Sequence, residues 1–157
     1  MTKPVTFKLK NADEISRAFR KAPKLAEKVF RKALKGSQLI LEKNNLKDDP
    51  TPFDTGALLN SFNFRSGDER AVYFPTAKYA KYVHEGTDPH PVSIEEIRGW
   101  ANRHNIEPAA VQEKIETEGT EANPFLEKLL EKTEPKLIDL FGDALDKFNK
   151  DLSNRIE

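Results

Sequence analysis

Two stretches of apolar residues recur at three- and four-residue steps, one towards each end of the chain, and they constrain the fold more than anything else in it. In the first, Ile15, Phe19 and Ala22 are followed by Leu25, Ala26, Val29, Phe30, Ala33, Leu34, Ile40 and Leu41. In the second, Phe125, Leu126, Leu129 and Leu130 lead to Leu137, Ile138, Phe141, Ala144, Leu145, Phe148 and Leu152. Such spacing gathers apolar side chains on one stripe of an α-helix, and packing that stripe is what stabilises a helix inside a protein. Only 37% of the residues are hydrophobic and 33% are charged, so the core has to come from a few strongly periodic segments of this kind. At 157 residues one domain is expected, 1–157.

Between the stripes the pattern changes. Val5, Phe7 and Leu9 alternate with polar residues, as in a half-buried strand. Pro23 can start a second helical segment or kink a single one, and a continuous helix over 24–45 would be about 33 Å long. Residues 46–54 are dense in turn formers and end it. Asp54 is an expected N-cap for a short helix carrying Ala57, Leu58 and Phe62. Ser66-Gly67-Asp68-Glu69 reads as a hairpin turn between strands at 63–65 and 70–75. A short helix fits 77–85, ended by Gly86. Ser93 with Glu96 forms a capping-box pattern for a helix over 93–104, and Pro108 opens another to about residue 118. Pro124 suits the first turn of the last helix, Pro135 should kink or divide it, and Asp143 with Lys147 and Asp146 with Lys150 are i,i+4 pairs with the acid on the favourable N-terminal side. The expectation is an α+β fold: a small antiparallel sheet packed with a long N-terminal and a long C-terminal helix, plus an inserted helical pair.

Composition closes several functional routes. Cysteine is absent, which removes disulfides, thiolate metal sites and cysteine nucleophiles. No apolar run approaches the ~20 residues of a membrane span, and no signal-peptide core follows the first residues, so a soluble protein of a reducing cytoplasm is expected. No phosphate-cradling glycine loop and no G-x-S-x-G elbow occurs. His84-Glu85-Gly86-Thr87-Asp88-Pro89-His90 is rich in metal-binding residue types but has no standard ligand spacing. A chain that is not an enzyme and holds no cofactor or metal is the reading this leaves, with a hydrolase using His84 and His90 as a rival.

Charge is divided along the chain. Residues 1–47 hold 13 Lys+Arg against 4 Asp+Glu, and residues 48–157 hold 13 against 22, so balances of +9 and −9 cancel. Lys24, Lys28, Arg31, Lys32 and Lys35 lie around the polar side of the first long helix. They could neutralise phosphates, steer the chain onto an acidic surface of the same or a neighbouring subunit, or merely form a solvated face.

Three separated segments also look familiar together. Asp54-Thr55-Gly56-Ala57-Leu58-Leu59-Asn60-Ser61-Phe62 resembles the D-T-G-x-L-x-x-S signature of the head-to-tail joining, or tail-completion, proteins of long-tailed bacteriophages. Tyr79-Ala80-Lys81-Tyr82-Val83-His84-Glu85-Gly86-Thr87 resembles that family's Y-A-x-Y-V-x-x-G-T segment, and Asn123-Pro124-Phe125-Leu126 its R-P-F-L entry to the C-terminal helix. Order and spacing agree over roughly residues 10–150; His84 and Asn123 depart from the usual residue types. The resemblance implies a virion protein in the neck, present in the host cytoplasm during assembly, forming a ring of about six copies. Its partners would be other connector and tail proteins, with genomic DNA passing through the channel without sequence-specific contact and no membrane involved. It also implies that residues 92–120 are a helical insert of the longer members. Leu58, Phe62, Tyr79, Tyr82 and Val83 would anchor loops and short helices on the sheet, or simply fill the core.

Overall fold

A computed structural model describes residues 12–47, 50–67 and 70–154. Seven helices and two strands follow in the order α1 (Ala12–Lys21), α2 (Pro23–Lys47), α3 (Ala57–Asn60), β1 (Phe62–Ser66), β2 (Ala71–Pro75), α4 (Ala80–Glu85), α5 (Ile94–Arg103), α6 (Pro108–Glu118) and α7 (Phe125–Ser153) among those residues. The α+β class, the two long helices, the small antiparallel sheet and the helical pair are all present. The strand expected around Val5, Phe7 and Leu9 lies outside the described residues.

The two apolar stripes meet each other. Phe30 of α2 faces Phe148 of α7 with ring centroids 6.3 Å apart, while towards the other end Lys136 hydrogen-bonds Asn44, so the helices run antiparallel. Ala26, Val29, Phe30 and Ala33 of α2 and Phe141, Leu145 and Phe148 of α7 are buried between them. Helix α1 closes this core with Ala18, and Phe19 stacks on Phe30 at 5.6 Å. Burying a Phe or Leu side chain is worth about 1.5–3 kcal/mol, so this seam dominates the stability of the chain. Pro135 does not divide α7, which passes through it as one helix. A proline inside a helix costs about 3 kcal/mol, and Leu129, Leu137 and Phe141, buried on both sides of it, offset that. Pro23, by contrast, does separate α1 from α2, standing at the first position of α2 where its missing N–H is harmless.

In the hairpin Phe62 pairs with Pro75, Phe64 with Tyr73 and Ser66 with Ala71. Phe62 and Tyr73 stack with centroids 4.7 Å apart on the inward face, and Arg65 lies over Phe74 on the other. Ser66 ends β1, and the Gly67 N–H donates to the Arg70 carbonyl at 2.8 Å. The sheet sits against the C-terminal half of α2 through a polar tie. Asn45 donates to the Tyr73 hydroxyl at 3.2 Å and accepts from Thr51 at 2.5 Å, and burial pushes the Tyr73 phenol up.

Capping residues behave as their types dictate in the helical pair. Ser93 and Glu96 form the reciprocal capping box, and Pro108 opens α6. Of the expected surface pairs on α7, Lys147 instead turns one step further on and meets Asp151 at 3.0 Å.

Candidate functional site

The three segments that carry the family resemblance, far apart in sequence, converge on one side chain. Phe125 is completely buried in a second small core with Leu58 and Ala80, and Phe62, Val83 and Leu126 pack around it. The Phe62 ring meets Phe125 edge-on at 6.1 Å, and the His84 ring does so at 5.1 Å. Backbone closes the junction, the Asn123 N–H donating to the Val83 carbonyl at 3.0 Å. Leu58 from the first segment, Val83 and His84 from the second and Phe125 with Leu126 from the third therefore form one nexus at the start of α7; Pro124 precedes them, exposed, as the helix N-cap. Ser61 serves the same place locally, its hydroxyl donating to the Leu58 carbonyl at 2.7 Å.

Asp54 is not an N-cap. Gly56, at φ +79°, occupies that position, and the nearby side-chain acceptor is Thr55, which takes the Ala57 N–H at 3.4 Å. Helix α3 is only four residues long, and Phe62 belongs to β1, where its pairing with Pro75 holds it extended. Freed from capping, the Asp54 carboxylate reaches across to α5 and accepts two hydrogen bonds from Arg103, at 2.8 and 2.5 Å, with His104 Nε2 at 3.4 Å. These guanidinium bonds hold the Asp54 carboxyl below the usual carboxylate range and push Arg103 up in turn. The His104 ring lies tilted against Trp100 at 4.4 Å, and the motif aspartate is thus engaged by the end of α5.

Gly86 and Thr87 have a matching role. The Thr87 and Thr120 backbones exchange two hydrogen bonds of 3.1 Å, and their hydroxyls stand 3.0 Å apart. Gly86 and Gly119, at φ +74° and +78°, lead into this clasp from either side, and a Cβ on either would strike the opposite strand's carbonyl oxygen. The clasp closes the base of the α5–α6 pair, and the Gln112 side chain donates to the Val92 carbonyl at 2.8 Å just above it.

Tyr79 and Tyr82 do not anchor anything on the sheet. Tyr79, the N-cap of α4, and Tyr82 within it stand 44% and 58% exposed, because Ala80, Val83 and His84 take the inward side of that short helix. His84 is buried, its Nε2 3.1 Å from a Glu127 carboxylate oxygen and its Nδ1 without a partner. His90 sits on the surface with Nδ1 against the Asp88 carbonyl at 2.9 Å. Among the described residues no three His, Asp or Glu side chains converge as a metal would require, and no helix is long and apolar enough to cross a membrane.

Lys24, Lys28, Arg31, Lys32 and Lys35 are all exposed on α2, with Arg31 paired to Glu27 at 2.6 Å. Their side of the helix continues into Leu39 and Leu46, 70% and 66% exposed, which sequence reading passed over. Reading also missed Arg103, His104, Thr120 and Glu127. For one of these a signal existed, since Gly119-Thr120 repeats the Gly86-Thr87 dipeptide at the far end of the helical pair.

Comparison with family models, curated proteins and solved structures returned no match.

Proposed function

We propose that this chain is a structural virion protein of a tailed bacteriophage or prophage, acting by assembly in the head-to-tail connector and turning over no substrate. The observation that carries the reading is the convergence on Phe125. Three short segments that resemble the neck family's signatures, far apart in sequence, meet in one core through Leu58, Val83 and Phe125, which is the arrangement that a shared structural role would need. A ring of about six copies, resting on portal and tail components with DNA in its channel, is the assembly that the likeness implies. The fold suits such a part: a stiff helical seam carries the hairpin, loops and helical pair outward as contact elements.

The test is assembly of particles with and without the chain. Its removal is expected to leave filled heads and finished tails unjoined, visible by electron microscopy, with plating lost. Fully infectious tailed particles that lack the chain would refute the proposal.

One observation favours a second reading, a DNA-binding accessory role for the basic helix. Among the described residues Lys24, Lys28, Lys32 and Lys35 are exposed and make no ion pair. That reading requires tight duplex binding whose log affinity falls steeply and linearly with log salt, and its absence at moderate salt removes it.

A further inference from the structure

Helix α2 presents a second surface whose composition its own fold does not explain. The buried side is complete with Ala26, Phe30 and Ala33, at 0%, 2% and 4% exposure. On the opposite side Lys24, Lys28, Lys35, Leu39 and Leu46 follow one another at steps of four and seven residues, which at 3.6 residues per turn places them along a single outward ridge. The ridge is basic for its first half. It is then apolar for its second, with Leu39 and Leu46 two turns apart and Glu42 between them held by Gln38 at 2.8 Å.

The α5–α6 pair has the opposite make-up. Residues 88–121 carry eight Asp and Glu against three Lys and Arg, a balance of −5, whereas residues 12–47 carry ten Lys and Arg against four acids, a balance of +6. No residue of α6 is buried, and its outward side shows Glu113 and Glu116 beside Ala109 and Ala110. At the tip between α5 and α6, Trp100 and Ile106 are 41% and 43% exposed.

We infer that the α2 ridge of one copy receives the α5–α6 pair of a second copy. Laid antiparallel, the apolar tip meets Leu39 and Leu46 while Glu113 and Glu116 reach the lysines. The lengths agree: Leu39 to Lys28 spans about 16 Å along α2, and Pro108 to Glu116 spans about 12 Å along α6. The contact is heterologous, because each copy offers its ridge to one neighbour and its helical pair to another, and such a contact closes into a ring or runs on as a chain. This inference rests on the self-assembly reading above and names the surfaces that would carry it.

The experiment is sedimentation velocity and native mass spectrometry on the full chain at low and high salt, with two exposed-site variants. One is K24E/K28E/K35E on the ridge; the other is E113K/E116K on α6. Wild type is expected to associate in a salt-sensitive way, and each variant alone to weaken association at least about tenfold, since it sets like charges against each other. An equimolar mixture of the two variants is expected to regain association, because both kinds of contact between them then join opposite charges; circular dichroism checks that each variant is folded. Association unchanged in either variant, or no recovery on mixing, overturns the assigned surfaces. A wild type that stays monomeric at millimolar concentration and low salt overturns self-docking while leaving the joining of heads to tails, tested separately, untouched. Binding of a short DNA duplex that is lost in the ridge variant, without self-association, assigns the ridge to nucleic acid and likewise overturns it.

Discussion

Replacing Gly119 by Ala adds one methyl group, and the structure gives it nowhere to go. At φ +78° and ψ −154° the residue sits in a region that L-residues pay about 1–3 kcal/mol to enter. The added Cβ would also lie 2.0 Å from the Thr87 oxygen and 2.8 Å from the Asp88 carbonyl carbon, both backbone atoms that no rotamer change can move. The overlap cannot be borne, so the backbone must separate and the Thr87–Thr120 clasp must open. That gives up two backbone bonds of 3.1 Å and the hydroxyl contact of 3.0 Å. At about 1 kcal/mol per net hydrogen bond, and with water replacing part of it at this exposed place, the loss is about 2 kcal/mol.

Native-state hydrogen exchange reads this locally. The Thr87 and Thr120 amides are expected to lose protection by about 30-fold, the equivalent of 2 kcal/mol, while amides of α2 and α7 around Phe30 and Phe141 keep theirs. Gly142→Ala is the matched control, for it makes the same chemical change inside α7 with nothing within 4 Å of the new Cβ. It should stabilise the chain by about 0.5–1 kcal/mol, read as a raised thermal midpoint. Unchanged protection of Thr87 and Thr120 in Gly119→Ala would refute the clasp and the backbone argument behind it.

Phe125→Ala should cost about 3–5 kcal/mol in denaturant unfolding, the range for emptying a fully buried aromatic site, and a cost under 1 kcal/mol would mean that the three segments do not depend on it. His84→Leu removes a buried Nδ1 that has no partner and a contact with the half-exposed Glu127, so it should raise stability by up to about 1 kcal/mol; clear destabilisation in the same assay would assign the imidazole a partner. Asp54→Asn should free the end of α5, seen as loss of the Arg103 side-chain NMR signature of a bound guanidinium and faster exchange of the last turn of that helix. Because the Asp54 carboxyl titrates below its ordinary value, the tie is complete above about pH 4 and is lost only as pH falls through the lower folded value, so wild type should come to resemble Asp54→Asn only after the pH has passed below the ordinary carboxylate range, and not at pH 6.

What could be read in advance was local. The capping box at Ser93 and Glu96, the start of α6 at Pro108 and the apolar stripes of α2 and α7 depend on neighbours within two turns, and the structure has them where expected. What could not be read was long-range or a contest between local rules. Asp54 had an adequate local use as a cap, but Arg103 offers two charge-assisted bonds from 49 residues away, and no pattern marks which of 26 acidic residues will meet it. Pro135 was expected to kink or divide the helix, and apolar packing on both sides of it keeps α7 undivided. Tyr82, and Tyr79 just before the helix, point outward because a helix as short as α4 has room for one inward face, and Ala80, Val83 and His84 occupy it.

The exposed leucines bear on how strongly the chain would assemble. Burying Leu39, Leu46, Trp100 and Ile106 in one contact, at about 1.5–3 kcal/mol each when complete, supplies at most about 6–12 kcal/mol. Association costs about 4–15 kcal/mol in lost freedom of motion, so a single contact of this kind is marginal, and exposed ion pairs add little to it. Closing a ring changes the balance, since the last contact forms between subunits that are already tethered and needs no further loss of free translation. A weak heterologous contact therefore predicts few dimers and trimers and a sharp passage from monomer to closed ring, favoured further when a neighbouring ring holds the copies at high local concentration. On the proposed reading as a connector component, this behaviour would keep most copies dispersed at low concentration and close them into a ring where a receiving surface gathers them.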